Sequence, residues 1–370
     1  MKILIIGGGI TGLSAAWYAH KRYPDAHITL LEKSGRLGGW IRTVIEGGFL
    51  FEKGPRTFQS GRSPHLLALI RDLKLEIIPS DPAAAKRFIL HKGSLRSAGS
   101  FLPKLIPYLI RELFIPPSSA PDESIYDFAA RRFSPHIAET LFDPLTLGVY
   151  AGDIRKLSIR ACFPAFYKWE REKGSLLRGL LSSPKTAKGL FTLKNGMETL
   201  IHELQKQLPI DIVFDCPAET ITAHEVFAQG QTWHADQVFS ALPPLCPTRS
   251  IWVVNLAFAD DVLSKKGFGY LVPTQEKEGL LGVIFDSAIF PQQNRSGETR
   301  LTAMIRGEES EPLPTALSAL KRHLGVVAEP LFASTFLAKE AIPQFEVGCI
   351  ARGVSVDACI QRGMEFVGRF

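Results

Sequence analysis

The sequence has few cysteines and no long apolar run. Its 370 residues include only five cysteines, an odd number, at widely separated positions: Cys162, Cys216, Cys246, Cys349 and Cys359. Disulfide frameworks and zinc sites usually show close, paired cysteine spacings, so neither is indicated. The apolar run at Met1–Ile6 is far shorter than the core of a signal peptide or the ~20 residues of a membrane-spanning helix. These absences favour a reducing, cytoplasmic setting.

Signatures of metal and nucleic-acid binding are also missing. None of the nine histidines belongs to a pair at i, i+4 with an intervening glutamate, so no metal site is predicted. The formal net charge of +6 could attract anionic lipid, nucleic acid or a polycarboxylate substrate. Because the chain has no basic–aromatic motif and no dense run of lysine and arginine, nucleic acid is the weakest of these partners.

The N-terminal residues alternate between strand, glycine turn, helix and strand. Ile3–Ile6 is typical of a buried strand, Gly7–Gly12 of a turn, residues 13–22 of a helix and residues 28–31 of a second strand. This order predicts a βαβ unit. With 45% hydrophobic residues, the chain is also long enough to form a second lobe, since single cores stop growing at about 250–300 residues.

The turn Gly7–Gly12 matches a dinucleotide-binding fingerprint with glycines at positions one, three and six. Gly7 permits the tight turn, Gly9 lets a pyrophosphate approach the backbone, and Gly12 lets the helix pack closely on the strand. Glu32 follows at the end of the second strand, where a carboxylate can accept hydrogen bonds from both ribose hydroxyls. The same carboxylate would repel a 2′-phosphate, which argues against NADP.

A second glycine-containing segment, Arg36–Arg42, carries the pattern Arg-x-Gly-Gly. It resembles a segment that borders FAD in the large class of flavoproteins that includes amine oxidases and phytoene desaturases. This resemblance favours a flavin over a nicotinamide cofactor.

The segment Gly267–Pro273, continued by Leu281–Ser287, is similar to a run of the protoporphyrinogen/coproporphyrinogen oxidase family of haem biosynthesis. General amine oxidases are not expected to share this run, so it is the most specific match. The other matching segments are distributed over most of the chain: Phe51–Thr57, Glu123–Phe128, Gly148–Asp153, Ala341–Phe345 and Gly353–Ile360. In relatives the last two are separated by a few dozen residues, but only residues 346–352 lie between them here. The resemblance therefore implies a missing strand and a reduced flavin-facing surface.

The resemblance implies that the chain is an enzyme that oxidises a porphyrinogen, protoporphyrinogen IX or coproporphyrinogen III, to the porphyrin by removing six electrons. FAD is the implied cofactor, dioxygen the acceptor and hydrogen peroxide the second product. Two alternatives stay open: another flavoprotein of the amine-oxidase or phytoene-desaturase type, and a non-catalytic FAD- or porphyrin-binding protein. No catalytic base is predicted, because no constellation of His, Asp or Glu residues calls for one.

The resemblance also implies site residues. Arg87 would pair with a substrate propionate, for which a bidentate guanidinium is suited, and Phe268, Leu271 and Met304 would sandwich the macrocycle. A solvated arginine and ordinary core packing are the alternative interpretations of these four positions. The implied cofactor contacts form a larger set: Gly7, Gly8, Gly9, Ile10, Thr11, Gly12, Glu32, Trp40, Gly54, Pro55, Arg56, Thr57, Val354, Ser355 and Val356. Ala218 is added because it follows a strand at 210–214, where such folds often touch adenine.

We predict an α/β fold in which a Rossmann-like FAD-binding domain is interrupted by a substrate domain with a mixed sheet and by a mostly helical region. The predicted parts are the first part of the FAD-binding domain (1–62), the helical and substrate region (63–190), the second part of the FAD-binding domain (191–250), the substrate-binding sheet (251–335) and a C-terminal FAD-contacting segment (336–370).

Periodicity predicts helix from about residue 64 to residue 135. Within this stretch, residues 101–116 combine apolar side chains with Lys104 and Arg111. The segment is too short and too charged to span a bilayer. Three interpretations stay open: a core helix, a wall of a substrate channel, and an element that lies on a membrane surface. The last would place the protein peripherally on the inner face of the membrane. A homodimer is a candidate assembly.

Overall fold

The computed structural model describes residues 1–183, 189–243, 245–295, 297–349 and 353–368. Its β-strands are β1 (Lys2–Ile6), β2 (His27–Leu31), β3 (Thr43–Glu46), β4 (Phe49–Glu52), β5 (Phe58–Gln59), β6 (Ile77–Pro79), β7 (Arg87–His91), β8 (Ser94–Ser97), β9 (Leu190–Leu193), β10 (Asp211–Val213), β11 (Ala218–Ile221), β12 (Glu225–Ala228), β13 (Gln231–His234), β14 (Gln237–Ser240), β15 (Thr248–Phe258), β16 (Gly269–Leu271), β17 (Leu280–Ile284), β18 (Thr299–Arg306) and β19 (Phe332–Pro343).

Its α-helices are α1 (Ile10–Arg22), α2 (Pro64–Asp72), α3 (Leu102–Glu112), α4 (Ile125–Arg132), α5 (Pro135–Ile137), α6 (Asp143–Tyr150), α7 (Ile159–Cys162), α8 (Pro164–Lys173), α9 (Leu176–Ser182), α10 (Thr199–Gln207), α11 (Asp286–Ile289), α12 (Pro312–Leu324) and α13 (Val356–Val367). The elements fall into two units. Unit 1 consists of Met1–Pro79, Thr186–Pro244 and Gly353–Phe370, and unit 2 of Ser80–Lys185 and Leu245–Arg352.

Unit 1 is built on a four-stranded parallel sheet with the order β10-β2-β1-β14. The side chains of Ile3 and Ile5 face a core that also contains residues of α1, α2, α10 and α13. Those of Leu4 and Ile6 face the other side, where they pack with residues of the antiparallel sheet β11-β12-β13. Both faces are buried, which explains why β1 is an unbroken apolar run. The predicted βαβ unit is confirmed.

Unit 2 contains a seven-stranded sheet with the order β19-β15-β18-β17-β16-β7-β8. The pair β16–β7 is parallel and the other neighbouring pairs are antiparallel, so the predicted mixed sheet is confirmed. One face buries residues such as Val254 and Ala303 against Leu320 of α12. A separate apolar core, which includes Phe128 and Ile159, joins the helices of the 125–176 region. Within the described residues, no helix is long and apolar enough to cross a bilayer.

Residues 87–97 form the β-hairpin β7–β8, although the sequence pattern predicts helix throughout 64–135. Lys92 and Gly93 at the tip have φ values of 51° and 71°. This is the left-handed geometry of a two-residue hairpin turn that Asn-Gly or Asp-Gly usually signals. Lysine at the first position gives no such signal, so the helical prediction is wrong here, and Arg87 lies on a strand.

The boundaries of the units also differ from the predicted ones. Residues 63–79 lie in unit 1, because α2 packs into the same core as α1. Residues 336–349 lie in unit 2, because β19 continues along β15 as far as Pro343. Of the predicted C-terminal segment, only Gly353–Phe370 belongs to unit 1.

Candidate functional site

The glycine-rich turn connects the end of β1 to the start of α1 in unit 1. Gly7 has a φ of 101°, in the left-handed region that favours glycine. A Cβ on Gly12 would lie 1.9 Å from the carbonyl oxygen of Gly7, so only glycine allows the helix to begin this close to the turn. The fold itself therefore requires both residues.

Gly9 has a different environment. A Cβ at this position would meet no protein atom within 4 Å, and its φ of −71° suits any residue. Gly9 is the N-cap of α1, and the helix has neither a capping side-chain hydrogen bond nor an acidic residue in its first turn. Free backbone N–H groups and the helix dipole at such an end favour an anion. The open space at Gly9 therefore fits the pyrophosphate of a dinucleotide cofactor.

Glu32, at the end of β2, turns its carboxylate into the glycine loop. Its Oε2 accepts a hydrogen bond from the backbone N–H of Gly8 at 2.6 Å, and its Oε1 accepts from Ser34 N at 2.9 Å and Ser34 Oγ at 2.7 Å. The residue is only 8% exposed. A carboxylate oxygen can accept a second hydrogen bond, so Oε2 has capacity left for a ribose hydroxyl. The ribose contact itself stays a prediction.

The second glycine turn lies beside the first, since Gly38 N donates to Gly8 O at 2.8 Å. Arg36 stabilises this turn through an ion pair in which its Nη2 lies 2.9 Å from Glu198 Oε1. Glu198 Oε2 in turn accepts from Thr43 N at 2.9 Å. Sequence reasoning missed Glu198, because the partner lies 162 residues away from Arg36 and belongs to no recognisable motif.

The predicted segment Gly54, Pro55, Arg56 and Thr57 runs along the same turn. A Cβ on Gly54 would lie 1.8 Å from the carbonyl oxygen of Trp40, so these two predicted cofactor residues are in close backbone contact. Arg56 is 8% exposed and donates to a backbone carbonyl of β4 at 3.3 Å. The side chain of Trp40 is 46% exposed.

Ala218, the predicted adenine contact, is the first residue of β11. Two residues before it, Cys216 N donates to the carbonyl oxygen of Glu32 at 2.9 Å. Ala218 therefore follows a segment that is hydrogen-bonded to the ribose-site candidate, although no contact with adenine is tested.

Residues Val354–Val356 lead into α13. Ser355 caps this helix, because its Oγ accepts from the backbone N–H three residues later at 3.1 Å. The helix lies directly on α1: a Cβ on Gly363 would be 2.9 Å from the carbonyl oxygen of Thr11, and Arg362 Nη2 donates to Thr11 Oγ1 at 3.2 Å. The short connection between the family-like segments Ala341–Phe345 and Gly353–Ile360 includes residues 350–352, which lie outside the described residues.

Two of the predicted substrate residues, Arg87 and Phe268, are adjacent in unit 2. The parallel pairing of β7 with β16 places Arg87 opposite Gly269, and the guanidinium carbon lies 5.1 Å from the centroid of the Phe268 ring. Arg87 is exposed. A guanidinium over an aromatic ring would suit an acidic substituent of a bound ligand.

The other two predicted substrate residues, Leu271 and Met304, occupy one row across the sheet. Gly282 pairs with Leu271 on one side and with Met304 on the other, so a position without a side chain separates them. Tyr270 and Ala303 face α12, and strand alternation directs Leu271 and Met304 to the opposite face. Both are partly exposed there, beside residues of α6.

The side chains on this sheet face are of the kinds that would suit a flat apolar ligand with an acid group at its edge, and the substrate contacts stay a prediction. Arg87 pairs with Gly269, which lies one row from Leu271 on the same face. The face therefore carries apolar side chains in the row of Leu271 and Met304 and a guanidinium in the neighbouring row. No group of three or more His, Cys, Asp or Glu residues that could hold a metal ion occurs among the described residues.

Comparison with known proteins shows what the chain is similar to. Residues 10–246 match the family described as flavin containing amine oxidoreductase. The chain is 31% identical over 421 residues to protoporphyrinogen oxidase of Homo sapiens, with 94% of this chain and 88% of the relative covered. It is 29% identical over 413 residues to coproporphyrinogen III oxidase of Bacillus subtilis (strain 168), with the same two shares covered.

A solved structure supports the fold. The crystal structure of a protein from Exiguobacterium sp. 255-15, provisionally described as a protoporphyrinogen oxidase, superposes with a TM-score of 0.83 at 24% identity. The match covers 99% of this chain and 98% of that one. The same fold therefore extends over almost the whole of both chains.

Proposed function

Because the chain belongs to the flavin containing amine oxidoreductase family, we propose that it is an FAD-dependent porphyrinogen oxidase that acts late in haem biosynthesis. The observation that carries the proposal is the glycine loop, which keeps an open, uncapped position at Gly9. The sheet face with Arg87, Leu271 and Met304 supports the substrate class. The names of the two relatives, protoporphyrinogen oxidase and coproporphyrinogen III oxidase, support it as well.

Conversion of a porphyrinogen to a porphyrin removes six electrons and six protons, in three two-electron steps. FAD supplies the two-electron acceptor when it is bound. The residues of the chain bind and orient the cofactor and the substrate. The loop amides and Glu32 hold the dinucleotide, Arg87 holds a propionate, and Leu271 and Met304 provide apolar contacts for the macrocycle. We propose dioxygen as the final acceptor, with one hydrogen peroxide formed in each two-electron step.

Arg87→Ala is expected to raise the KM for the porphyrinogen about tenfold or more and to leave kcat and flavin content unchanged. A hydrogen bond to a charged group contributes about 1.5–3 kcal/mol, and this one would be made equally in the substrate and transition-state complexes. Arg87→Lys keeps the charge but loses the planar fork, so an intermediate KM is expected. The measurement is the growth of porphyrin fluorescence after aerobic addition of protoporphyrinogen IX or coproporphyrinogen III.

The control for this experiment is Lys321→Ala, which removes an exposed cation from α12, on the other face of the sheet. Its KM should equal that of the wild type. Loss of flavin from Arg87→Ala would show that the residue serves the cofactor and not the substrate. If the flavin-loaded wild type forms no porphyrin from either substrate, the proposed function is wrong.

We also propose that unit 2 contacts a membrane surface. The contact would be made by exposed apolar side chains on α3, just after the C-terminal end of α3, and on α9. This apolar patch consists of Leu102, Ile106, Ile110, Phe114, Leu180 and Leu181. The members on and after α3 recur every four residues and so share one face. Glu112 joins the two helices, since it accepts from Ser175 Oγ at 2.6 Å and Leu176 N at 2.8 Å. The exposed cations Lys104 and Arg178 suit an anionic lipid surface.

A variant carrying both Ile106→Asp and Ile110→Asp is expected to lose at least about tenfold in its partition onto vesicles. Each isoleucine buried in lipid contributes about 1.5–3 kcal/mol, and the added carboxylates are repelled by anionic headgroups. The measurement is cosedimentation with vesicles of phosphatidylglycerol and phosphatidylcholine. Val327→Asp is the control, because Val327 is 75% exposed but lies outside the apolar patch. Equal partition of the double variant and the wild type would contradict the proposal.

A further inference from the structure

We propose that Tyr270, His323 and Glu278 form a buried hydrogen-bond relay that positions strand β16 and, through it, the substrate residue Leu271. Tyr270 and His323 would then be positioning residues for porphyrinogen binding. The inference rests on the proposed function, because the role of Leu271 does. Tyr270 lies within the family-like segment Gly267–Pro273, but no motif of the sequence singles out His323 or Glu278.

The geometry of the relay is continuous from β16 to α12. The hydroxyl of Tyr270 lies 3.0 Å from His323 Nδ1, and His323 Nε2 lies 2.9 Å from Glu278 Oε1. Arg322 closes the far end, with Nη2 3.1 Å from Glu278 Oε2. Tyr270 is 2% exposed, and the side chain of His323 is equally buried at 2%. Water therefore has little access to the two inner hydrogen bonds.

The protons of the relay can be assigned from this geometry. Burial raises the pKa of Tyr270 far above its usual value, so the phenol keeps its proton and donates it to His323 Nδ1. A neutral imidazole then donates its Nε2–H to the Glu278 carboxylate, and every donor has an acceptor. If His323 carried a second proton, its Nδ1–H would face the O–H of Tyr270. One of these two buried donors would then have no acceptor. The charged groups beside the imidazole are Glu278 in the loop before β17 and Arg322 on α12.

The relay can act on the substrate face because β16 is short and tightly held. Its three residues alternate across the sheet, so Tyr270 faces α12 while Gly269 and Leu271 face the other side. A Cβ on Gly269 would lie 2.1 Å from the carbonyl oxygen of Val283, which leaves the strand little room to shift without disturbing β17. The Tyr270 hydroxyl thus ties the strand that carries Leu271 to α12.

Tyr270→Phe removes only the hydroxyl and is expected to raise the KM for the porphyrinogen about fivefold, with kcat and flavin content unchanged. His323→Gln offers an amide N–H to Glu278 and an amide oxygen to Tyr270, so the KM should stay near that of the wild type.

Tyr150→Phe is the matched control. Its hydroxyl donates to Cys162 O at 2.8 Å from a side chain that is 8% exposed, in the helical core of unit 2. Both tyrosine variants should lower the melting temperature, but only Tyr270→Phe should change the KM. If both variants lower the melting temperature and neither changes the KM, the relay is merely structural and the proposal is overturned.

Failure of the proposed function gives a different result, because the wild type would then turn over no porphyrinogen at all. In that case the melting temperatures of the wild type, Tyr270→Phe, His323→Leu and the double variant test the relay. The loss in the double variant should be smaller than the sum of the two single losses, because either change alone already breaks the hydrogen bond between the two side chains. Additive losses would refute the relay.

Discussion

Gly9→Ala is expected to reduce the FAD content of the purified protein to less than about one tenth of the wild-type content, without unfolding the chain. The added Cβ would meet no protein atom within 4 Å, and alanine readily adopts the φ of −71° found at this position. The methyl group would instead occupy the space in front of α1 that a pyrophosphate needs. The measurements are the ratio of flavin absorbance to protein absorbance and the thermal unfolding curve.

Two other glycines separate the effect on the cofactor from an effect on the fold. Gly12→Ala should abolish both flavin binding and stable folding, because its Cβ would lie 1.9 Å from the carbonyl oxygen of Gly7. Gly99→Ala should change neither property, since the nearest atom would be 3.7 Å away. If Gly9→Ala retained a full complement of flavin, the glycine loop could not be the pyrophosphate site.

Arg132→Met is expected to lower the free energy of unfolding by about 3–5 kcal/mol. The side chain of Arg132 is fully buried, at 0% exposure, and forms ion pairs with Glu112 at 3.0 Å and with Glu170 at 2.6 Å. Methionine preserves most of the volume but leaves two carboxylates in the interior without their shared cation. Denaturation in urea, followed by circular dichroism, measures the loss.

Lys168→Ala is the control for this prediction. Lys168 lies on the same helix as Glu170 and pairs with Glu172 at 3.8 Å, but both side chains are more than half exposed. Exposed pairs at this helical spacing contribute only about 0.2–0.5 kcal/mol. A similar, small loss for Arg132→Met would mean that the buried pairs do not hold the helices together. It would also mean that Glu112 does not hold α3 and α9 together, so the apolar patch would not be one continuous surface.

Local patterns were sufficient to predict the nucleotide-binding part of the fold. The turn Gly7–Gly12 and the acid Glu32 lie within one βαβ unit, so their spacing along the chain determines their spacing in the structure. The close approach of Gly12 to Gly7 and the open position at Gly9 are the features that the fingerprint predicts. The substrate residues were predicted only through a family resemblance, and their roles stay predictions.

Contacts between distant parts of the chain were not predictable in this way. Glu198 braces the turn at Arg36, and His323 meets Tyr270, yet no sequence pattern links either pair. The row that joins Leu271 to Met304 depends on an irregularity in β17, where the register shifts between Leu280 and Gly282. A one-residue shift of this kind reverses the faces of a strand, and periodicity alone could not locate it.

The most direct test of the central claim is anaerobic mixing of the FAD-loaded protein with protoporphyrinogen IX or coproporphyrinogen III while the visible spectrum is recorded. If the chain is a porphyrinogen oxidase, one of the two substrates should bleach the oxidised-flavin absorbance and form porphyrin. Three flavins should be reduced for each porphyrin, because six electrons leave the substrate in two-electron steps. An FAD-loaded protein whose spectrum stays unchanged with both porphyrinogens would rule out porphyrinogen oxidase activity. It would favour either a different flavoprotein substrate or a binding protein without catalytic activity.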